Sequence, residues 1–563
     1  MRLPFPFGAM RAGTPAVLPA SFSATLLSTL VPEVYTGSST PTFTRATTAY
    51  VTDFEGLLKQ VPSGASRHTG ARFVRNAIGI ASSQDASLLT TFGGTSNMTA
   101  TTMEATGANA LRYDSAASAA AFSGSCRARA KLTAISASPT VQMSCDGGTS
   151  YTAITVTSTP QVFSVSATNA SAVLGSITFK LVNSGDKISI EEMMVENTTG
   201  QSNTNPSEYV SKGVLSAPYH GAGVDGCKYF TTQNGNTVAS NVVTEATGAA
   251  ISSATLLGYQ AEGARTNYAL WSRDLTNAAW VSGGGGIATA KTATGADGTA
   301  NGATTLTASG ANGTLIQSIT RASAQRVTGC RIKRRTGSGT VNMTQDNGGT
   351  WTAVTVTAGW TAVEIPAATA ANPNIGFRIV TSGDAIDVDF VMHEEGAFVS
   401  SPIPTTTVAV ARNKDTLTYV SASNFGDPTG SIYAETKVDA MNGLNINCVL
   451  GMGAAGSFPL FVGATTSIST NDVSANLGTT GSGLSFLTAP RKVAAAWGGV
   501  TRSISKDGAA VASGVYDGGM NPSVNMTVGN YTAGSTYELY GNVRNLSLWT
   551  TKKTDAELAA LTA

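Results

Sequence analysis

The chain has 563 residues, too many for one hydrophobic core and typical of about three or four domains. Charged residues make up only 12% of it, and a formal net charge of +1 without a stripe of Lys and Arg argues against a nucleic-acid ligand. Hydrophobic residues make up 42%, which argues against disorder, and no stretch approaches the ~20 apolar residues of a membrane span, so we expect no membrane insertion.

The first 42 residues differ from the rest of the chain. MRLPFPFGAM (1–10) and LLSTLVPEVY (26–35) are rich in Pro and apolar residues, a composition that folds poorly alone but docks well as an extended strand on a neighbour. We predict an N-terminal attachment arm over residues 1–42. Prolines interrupt the apolar run that a secretion signal would need, so we expect a protein that is assembled in a cytoplasm.

Two copies of one repeat follow, at residues 77–200 and 271–404. DGGTSYTAITVT (146–157) matches DNGGTWTAVTVT (346–357). Downstream, FKLVNSGDKISIEEMMVE matches FRIVTSGDAIDVDFVMHE, and upstream we align two Cys-Arg dipeptides, Cys126-Arg127 with Cys330-Arg331. Connectors at 43–76 and 201–270 precede the copies, and their recurring apolar residues predict that they pack against the sandwiches that they join.

Each copy has the pattern of a β-domain. TVQMS, AITVT and KISIEE alternate apolar and polar residues with period two, which is typical of strands with one face in a core. Gly and Asn in the DGG and DNGG turns supply the positive φ of a tight hairpin. About a hundred residues of short strands without helical heptads pack best as two antiparallel sheets, so we predict an all-β fold with tandem jelly-roll β-sandwiches.

Residues 405–563 predict a third all-β sandwich. Strand-like runs such as SIYAETKV (431–438) and RKVAAAWGG (491–499) are bounded by Gly and Asp-Gly turns. Only KKTDAELAALTA (552–563) has a helical pattern.

Two segments, FTRATTAYVTDFEG (43–56) and EGARTNYALWSRDLTNAAW (262–280), resemble a segment common in tail-fibre and other virion structural proteins of tailed bacteriophages. The matching residues are Arg45, Thr47, Ala49, Tyr50, Asp53 and Gly56, then Glu262, Gly263, Arg265, Thr266, Asn267 and Ser272. In that family a carbohydrate-binding-module-like jelly roll follows, which agrees with the predicted sandwiches.

The C-terminal region is similar to concanavalin A/laminin-G-like domains. Lys506-Asp507-Gly508, Thr527-Val528-Gly529 and the run from Tyr540 to Trp549 carry this similarity. Such domains often hold calcium through clustered acidic side chains, but residues 416–550 contain no such cluster. We therefore expect no metal and no cofactor.

The cysteines form no recognisable framework. Their number is odd and none has CxxC spacing, at Cys126, Cys145, Cys227, Cys330 and Cys448. The second copy has Gln345 in the position of Cys145, which a structural disulfide would not readily permit. We predict free, mostly buried thiols.

Aromatic residues are the candidate binding residues. An exposed indole is a good platform for a sugar ring. The second copy has Trp351 and Trp360 where the first has Tyr151 and Pro160. We predict Trp351, Trp360 and Tyr151 as glycan-binding residues; the alternative is that these side chains only cover the rim of the sandwich.

Catalytic groups are harder to find. Glu191-Glu192 and Glu394-Glu395 are adjacent on strands, so each pair points to opposite faces, and we expect solvated strand ends rather than a glycosidase pair. His68, His220 and His393 fall in unrelated contexts without a nucleophile motif. We predict no catalytic residue and no enzymatic activity.

The phage resemblance implies a virion structural protein of the tail (tail fibre, tail tip or baseplate periphery), assembled in the host bacterial cytoplasm, that contributes to recognition of host-surface glycan. It also implies a homo-oligomer, with a trimer favoured, attached to other virion proteins through the N-terminal arm. The alternatives are a head decoration or spike protein with a purely structural role and, less favoured, a polysaccharide depolymerase.

Overall fold

The computed structural model describes most of the chain. The described residues are 20–35, 37, 40–114, 124–169, 176–213, 222–346, 348–441, 446–452, 457–472, 476–481, 483–518, 520, 525–531 and 537–563. No helix in these ranges is long and apolar enough to cross a membrane.

Among the described residues before and within the first repeat, regular structure is β, apart from one 3-10 turn at Ala86–Leu88. The strands that precede the repeat are β1 (Phe22–Ala24), β2 (Glu33–Val34), β3 (Thr42–Thr44), β4 (Ala49–Thr52), β5 (Leu58–Val61), β6 (His68–Thr69) and β7 (Arg72–Arg75). The strands of the repeat are β8 (Thr90–Gly93), β9 (Ser96–Met98), β10 (Thr102–Ala105), β11 (Ala110–Tyr113), β12 (Gly124–Ala134), β13 (Val141–Ser144), β14 (Thr152–Ile154), β15 (Gln161–Asn169), β16 (Thr178–Leu181) and β17 (Lys187–Asn197).

The middle of the chain continues the same pattern. The second connector has β18 (Cys227–Phe230), β19 (Thr237–Ala239), β20 (Val242–Thr244), β21 (Gly258–Ala261) and β22 (Arg265–Asn267). The second repeat has β23 (Val281–Gly284), β24 (Ile287–Ala293), β25 (Ala303–Ala308), β26 (Gly313–Ser318), β27 (Ala324–Thr336), β28 (Val341–Thr344), β29 (Thr352–Val354), β30 (Thr361–Ala370), β31 (Asn374–Ile379) and β32 (Ala385–Glu395).

The C-terminal region ends in a short helix. Its strands are β33 (Val410–Arg412), β34 (Thr416–Val420), β35 (Gly430–Val438), β36 (Asn447–Met452), β37 (Ser457–Val462), β38 (Ile468–Asp472), β39 (Asn476–Thr479), β40 (Arg491–Gly498), β41 (Thr501–Lys506), β42 (Ala512–Val515), β43 (Asn525–Val528) and β44 (Gly541–Trp549). Helix α1 (Asp555–Thr562) starts where Thr554 and Glu557 bond each other's backbone N–H, which fixes the first turn.

Each repeat folds into two antiparallel sheets. The first copy pairs its strands in the orders β19-β20-β15-β12-β17-β10-β9 and β14-β13-β16-β11-β8. The second copy uses β23-β26-β31-β28-β29 and β24-β25-β32-β27-β30. The predicted fold class, all-β with tandem jelly-roll sandwiches and a further C-terminal sandwich, is confirmed. Strands β19 and β20 of the predicted second connector extend the first sandwich, because β20 adds to the edge of β15.

Strand register corrects the alignment of the two copies. Ala128 lies opposite Val195 in the first copy, and Thr328 lies opposite His393 in the second. Val195 and His393 occupy the same position in the matching runs 179–196 and 377–394. Their partners on β12 and β27, Ala128 and Thr328, are therefore equivalent, and the two strands are 200 positions apart. The alignment of the two Cys-Arg dipeptides was wrong, because it needs a spacing of 204 positions.

The repeated turn is longer than a tight hairpin. The last paired residues before and after it are Met143 and Thr152. Asp146 closes the loop by accepting hydrogen bonds from the backbone N–H groups of Thr149 and Ser150 at 3.0 and 3.1 Å. The predicted positive φ is present, at +82° for Gly148 and at +78° for its counterpart in the second copy.

The third sandwich includes strands from both ends of the chain. One sheet has the order β2-β1-β44-β35-β40-β41-β42, with β21 and β6 added beside β44, and the other has the order β3-β34-β43-β36-β37-β38-β39. Phe22 of β1 pairs with Leu548 of β44, and the side chains of Phe22, Ala24 and Leu26 are buried in the core.

This arrangement differs from the predicted arm over residues 1–42. Residues 1–19 lie outside the described residues, whereas β1 and β2 and the start of β3 belong to the third sandwich. Their apolar side chains share one core with residues of the C-terminal region, which lie hundreds of positions later in the sequence.

The connectors form a small core of their own between the sandwiches. Strands β4 and β5 make a hairpin, and β7 pairs with β18. Buried residues of both connectors meet there, among them Val61, Phe73, Tyr229 and Leu256. The second connector contacts two sandwiches, because β20 pairs with β15 of the first and β21 pairs with β44 of the third. The prediction of packing against a joined sandwich therefore holds for β20, whereas β21 packs against a sandwich that this connector does not join.

Candidate functional site

An aromatic ring beneath a cation is repeated in both copies. Tyr151 directly precedes β14, and Trp351 directly precedes β29. Lys180 Nζ lies 5.3 Å from the centre of the Tyr151 ring, and Arg378 Cζ lies 4.8 Å from the centre of the Trp351 ring. Both rings are half-buried, so each sandwich leaves part of an aromatic ring exposed beside a hydrogen-bond donor.

Glycine in the repeated turn makes room for these rings. A Cβ atom on Gly348 would lie 3.0 Å from Trp351 Nε1, and one on Gly148 would lie 2.5 Å from the Tyr151 hydroxyl. Each ring therefore rests directly on the backbone of its turn. The turn and the cation together hold each ring in one orientation, which lowers the entropy that a ligand would lose on binding.

Trp360 has a different environment from Trp351. It directly precedes β30, in the other sheet, and it packs against Tyr50, Leu58 and Phe390. Lys333 Nζ lies 4.9 Å from the centre of its ring. Trp360 therefore belongs to the contact between the second sandwich and the β4-β5 hairpin, whereas Trp351 belongs to the surface of the sandwich.

A buried ion network joins the connectors to the third sandwich. Arg45 Nη1 lies 2.8 Å from Asp415 Oδ1, and Arg67 bonds both Asp415 and Glu262, the latter at 2.8 Å. Arg412 Nη2 lies 3.2 Å from Glu262 Oε2. Burial would raise the pKa of Glu262, but Arg67 and Arg412 outweigh it and lower this pKa to about 2. Three cations thus share two carboxylates inside the protein.

Several residues of the two phage-like motifs make structural bonds in or near this network. Arg45 and Glu262, one from each motif, bond within it. Asp53 accepts backbone hydrogen bonds that close the turn after β4, and Asn267 donates to the carbonyl groups of Val391 and Ile403 at 2.9 and 2.8 Å. These motif residues hold the connectors in place.

A cleft of about 430 Å³ lies where the connectors, the second sandwich and the third sandwich meet. Tyr50 and Phe390 form an aromatic wall, and Glu364 and Asp439 contribute carboxylates. Burial lowers the pKa of Arg331, and no salt bridge offsets this among the residues that the structure describes. The cleft is large enough for a small polar ligand.

The acid pairs differ between the copies. Glu191 forms a half-exposed salt bridge with Lys131 at 2.9 Å. Glu394, by contrast, is fully buried and accepts hydrogen bonds from Ser400 N and Oγ at 2.7 and 2.8 Å. The expectation of a solvated strand end was wrong for Glu394, because the segment after β32 covers it. Burial raises its pKa to about 7.

The histidines lie apart from one another. His393 is buried beside Thr328, and burial followed by the nearby charge of Arg326 lowers its pKa to about 4. His68 is buried against Ser66 and the Leu26 carbonyl, and His220 lies outside the described residues. Within the described ranges, no group of three or more His, Cys, Asp or Glu side chains could hold a metal ion.

Comparisons with known proteins give little further information. No protein-family model and no curated protein matches the chain. Among solved structures, the chain is similar to the N-terminal CBM22-1-CBM22-2 tandem domain of Paenibacillus barcinonensis Xyn10C, at 10% identity over 62% of this chain and 99% of that chain. The TM-score of 0.18 is too low to carry an argument, so the fold assignment rests on the sheets themselves.

Proposed function

We propose that this protein is a non-enzymatic structural component of a tailed-phage particle, located in the tail fibre, tail tip or baseplate periphery, and that its two repeats contact glycan on the host surface. The phage assignment is supported by the motif residues at 43–56 and 262–280, and the similarity of the C-terminal region to laminin-G-like domains is part of the same proposal. The glycan assignment is supported by one observation, the aromatic ring and cation repeated at Tyr151 and Trp351.

The physical basis is stacking combined with hydrogen bonding. The C–H groups of a sugar ring pack against the face of an aromatic ring, and the neighbouring Lys180 or Arg378 donates to its hydroxyl groups. One such contact is weak. Each chain carries two such sites, and a homo-oligomer, with a trimer favoured, multiplies them. Because the sites are linked, several weak glycan contacts made at once give strong overall attachment.

Replacing Trp351 tests the glycan site. We expect Trp351→Ala to weaken binding to a glycan-array hit about tenfold, because the stacking surface is lost. Tyr151→Ala should have a smaller effect, since a phenol ring offers less surface. Val281→Ala is the matched control, because Val281 is an exposed apolar residue of the same sandwich.

Thermal unfolding of each variant is measured alongside its glycan binding, so that a loss of binding is distinguished from a loss of folding. Trp360→Ala tests the third predicted residue, and its unfolding temperature separates lost binding from lost packing against Tyr50 and Phe390. Folded variants at Trp351 and Tyr151 that bind glycans as well as the wild type would exclude this site.

Attachment to the particle is tested by deleting residues 1–19. This deletion leaves β1 and the core of the third sandwich intact, whereas a deletion through residue 42 would remove strands that the sandwich needs. We expect the shortened protein to fold with an unchanged circular dichroism spectrum and to be absent from purified particles. Incorporation at the wild-type level would show that other residues attach it.

The alternatives give different results in two further measurements. Imaging of the labelled protein on intact particles distinguishes the tail from the head, where a decoration or spike protein would lie. Incubation with host polysaccharide releases fragments only if the protein is a depolymerase.

A further inference from the structure

Two thiols meet inside the first sandwich. Cys126 lies in β12 of one sheet, and Cys145 directly follows β13 of the other. Their Sγ atoms are 2.7 Å apart, and both residues are fully buried. Non-bonded heavy atoms rest at roughly 3.5–4.0 Å, so the two sulfur atoms are closer than an ordinary packing contact.

The other cysteines lack this arrangement. Cys227, Cys330 and Cys448 are buried in three separate hydrophobic clusters. Burial raises the pKa of each of these thiols, which keeps them protonated and unreactive.

From this geometry we propose that Cys126 and Cys145 form a disulfide that links the two sheets of the first sandwich when the protein meets an oxidant. The chain between them is short, since the two residues are 19 positions apart. An S–S bond of about 2.05 Å requires the sulfur atoms, now 2.7 Å apart, to approach by about 0.65 Å.

The second copy joins its sheets at the same place by another means. Gln345 occupies the position of Cys145, and it accepts a hydrogen bond from Thr328 Oγ1 at 3.0 Å. Thr328 lies in β27, the strand equivalent to β12. The presence of Gln345 is therefore compatible with a disulfide in the first copy, because each copy has its own link between the sheets.

The reaction is ordinary thiol–disulfide exchange with a small-molecule disulfide such as oxidised glutathione. Both thiols are fully buried in the folded sandwich, so the reagent reaches them while the chain folds, and Cys126 then supplies the attacking thiolate. It forms a mixed disulfide and releases one reagent thiol. Cys145 then loses its proton, attacks Cys126 Sγ and releases the second reagent thiol. Two electrons and two protons pass from the protein to the reagent.

Mass spectrometry of the full chain tests the proposal directly. The protein is refolded with oxidised glutathione or with a thiol reductant, alkylated and digested without reduction. We expect the oxidised sample to contain a linked peptide pair with Cys126 and Cys145, two hydrogens lighter than the separate peptides. Alkylation of both thiols in the oxidised sample, or linkage of either one to another cysteine, would overturn the proposal.

Thermal unfolding gives a second readout. Closing a loop of this length should raise the unfolding temperature of the first sandwich by about 5–10 °C in the oxidised sample. Cys126→Ala should abolish this difference, and the matched control Cys448→Ala should retain it. If Cys126→Ala fails to fold, the peptide analysis of the wild-type protein still shows whether the Cys126–Cys145 disulfide forms.

Discussion

Asp415→Ala should destabilise the protein by about 3–5 kcal/mol, because it leaves buried arginines without their shared anion. Asp415 bonds both Arg45 and Arg67, and the side chains of all three residues have no solvent exposure. An uncompensated charge inside a protein costs far more than a lost surface ion pair. Urea unfolding followed by intrinsic tryptophan fluorescence measures the change.

Asp517→Ala is the matched control for this variant. Asp517 is an exposed carboxylate of the same C-terminal region, so its removal should change the free energy of unfolding by less than about 0.5 kcal/mol. Equal urea midpoints for the two variants would mean that the network contributes nothing to the stability of the junction.

Glu394→Gln should become more stabilising, relative to the wild type, as the pH rises. Between pH 5 and pH 8 we expect the difference in free energy of unfolding, variant minus wild type, to increase by up to roughly 3 kcal/mol. The pKa of Glu394 rises from its ordinary 4.5 to about 7 because the residue is buried, and the donors of Ser400 offset this only in part. The folded state therefore favours the neutral acid. Its stabilising contribution is complete below pH 4.5 and is lost as the pH rises from 4.5 through 7, and glutamine, which stays neutral, avoids this loss.

Thermal unfolding of both proteins between pH 5 and pH 8 tests this expectation. His393 also titrates in the folded protein, but it is present in the wild type and in the variant, so its contribution cancels in the difference. Glu395→Gln is the control, because Glu395 is the half-exposed neighbour on the same strand. A stability difference for Glu394→Gln that does not change with pH would show that Glu394 is ionised in the folded protein.

The sandwiches could be predicted from sequence because their signal is local. Alternation with period two marks strands such as β13 and β35 without knowledge of their partners. The N-terminal strands could not be placed in this way. Phe22 pairs with Leu548, and no local pattern indicates which of many strands in the chain is the partner of another.

The candidate site was predictable only in part. The exchange of Tyr151 for Trp351 was visible because it stands in a repeated motif, but the cations above the rings come from strands β16 and β31. The ion network was hidden for the same reason, since Arg45 and Asp415 are 370 positions apart. Arginine in otherwise apolar strand segments, such as Arg412, is the one signal that could have pointed to it.

The pairing of β1 with β44 has a consequence for synthesis of the protein. Translation at about 5–20 residues per second separates the emergence of Phe22 from that of Leu548 by roughly 30–100 s. During this interval the two repeats are able to fold, while the earliest apolar strands wait for their partner. If translation stops early, the released chain has folded repeats but N-terminal strands whose apolar side chains are unpaired. Chaperones and proteases recognise such exposed apolar segments.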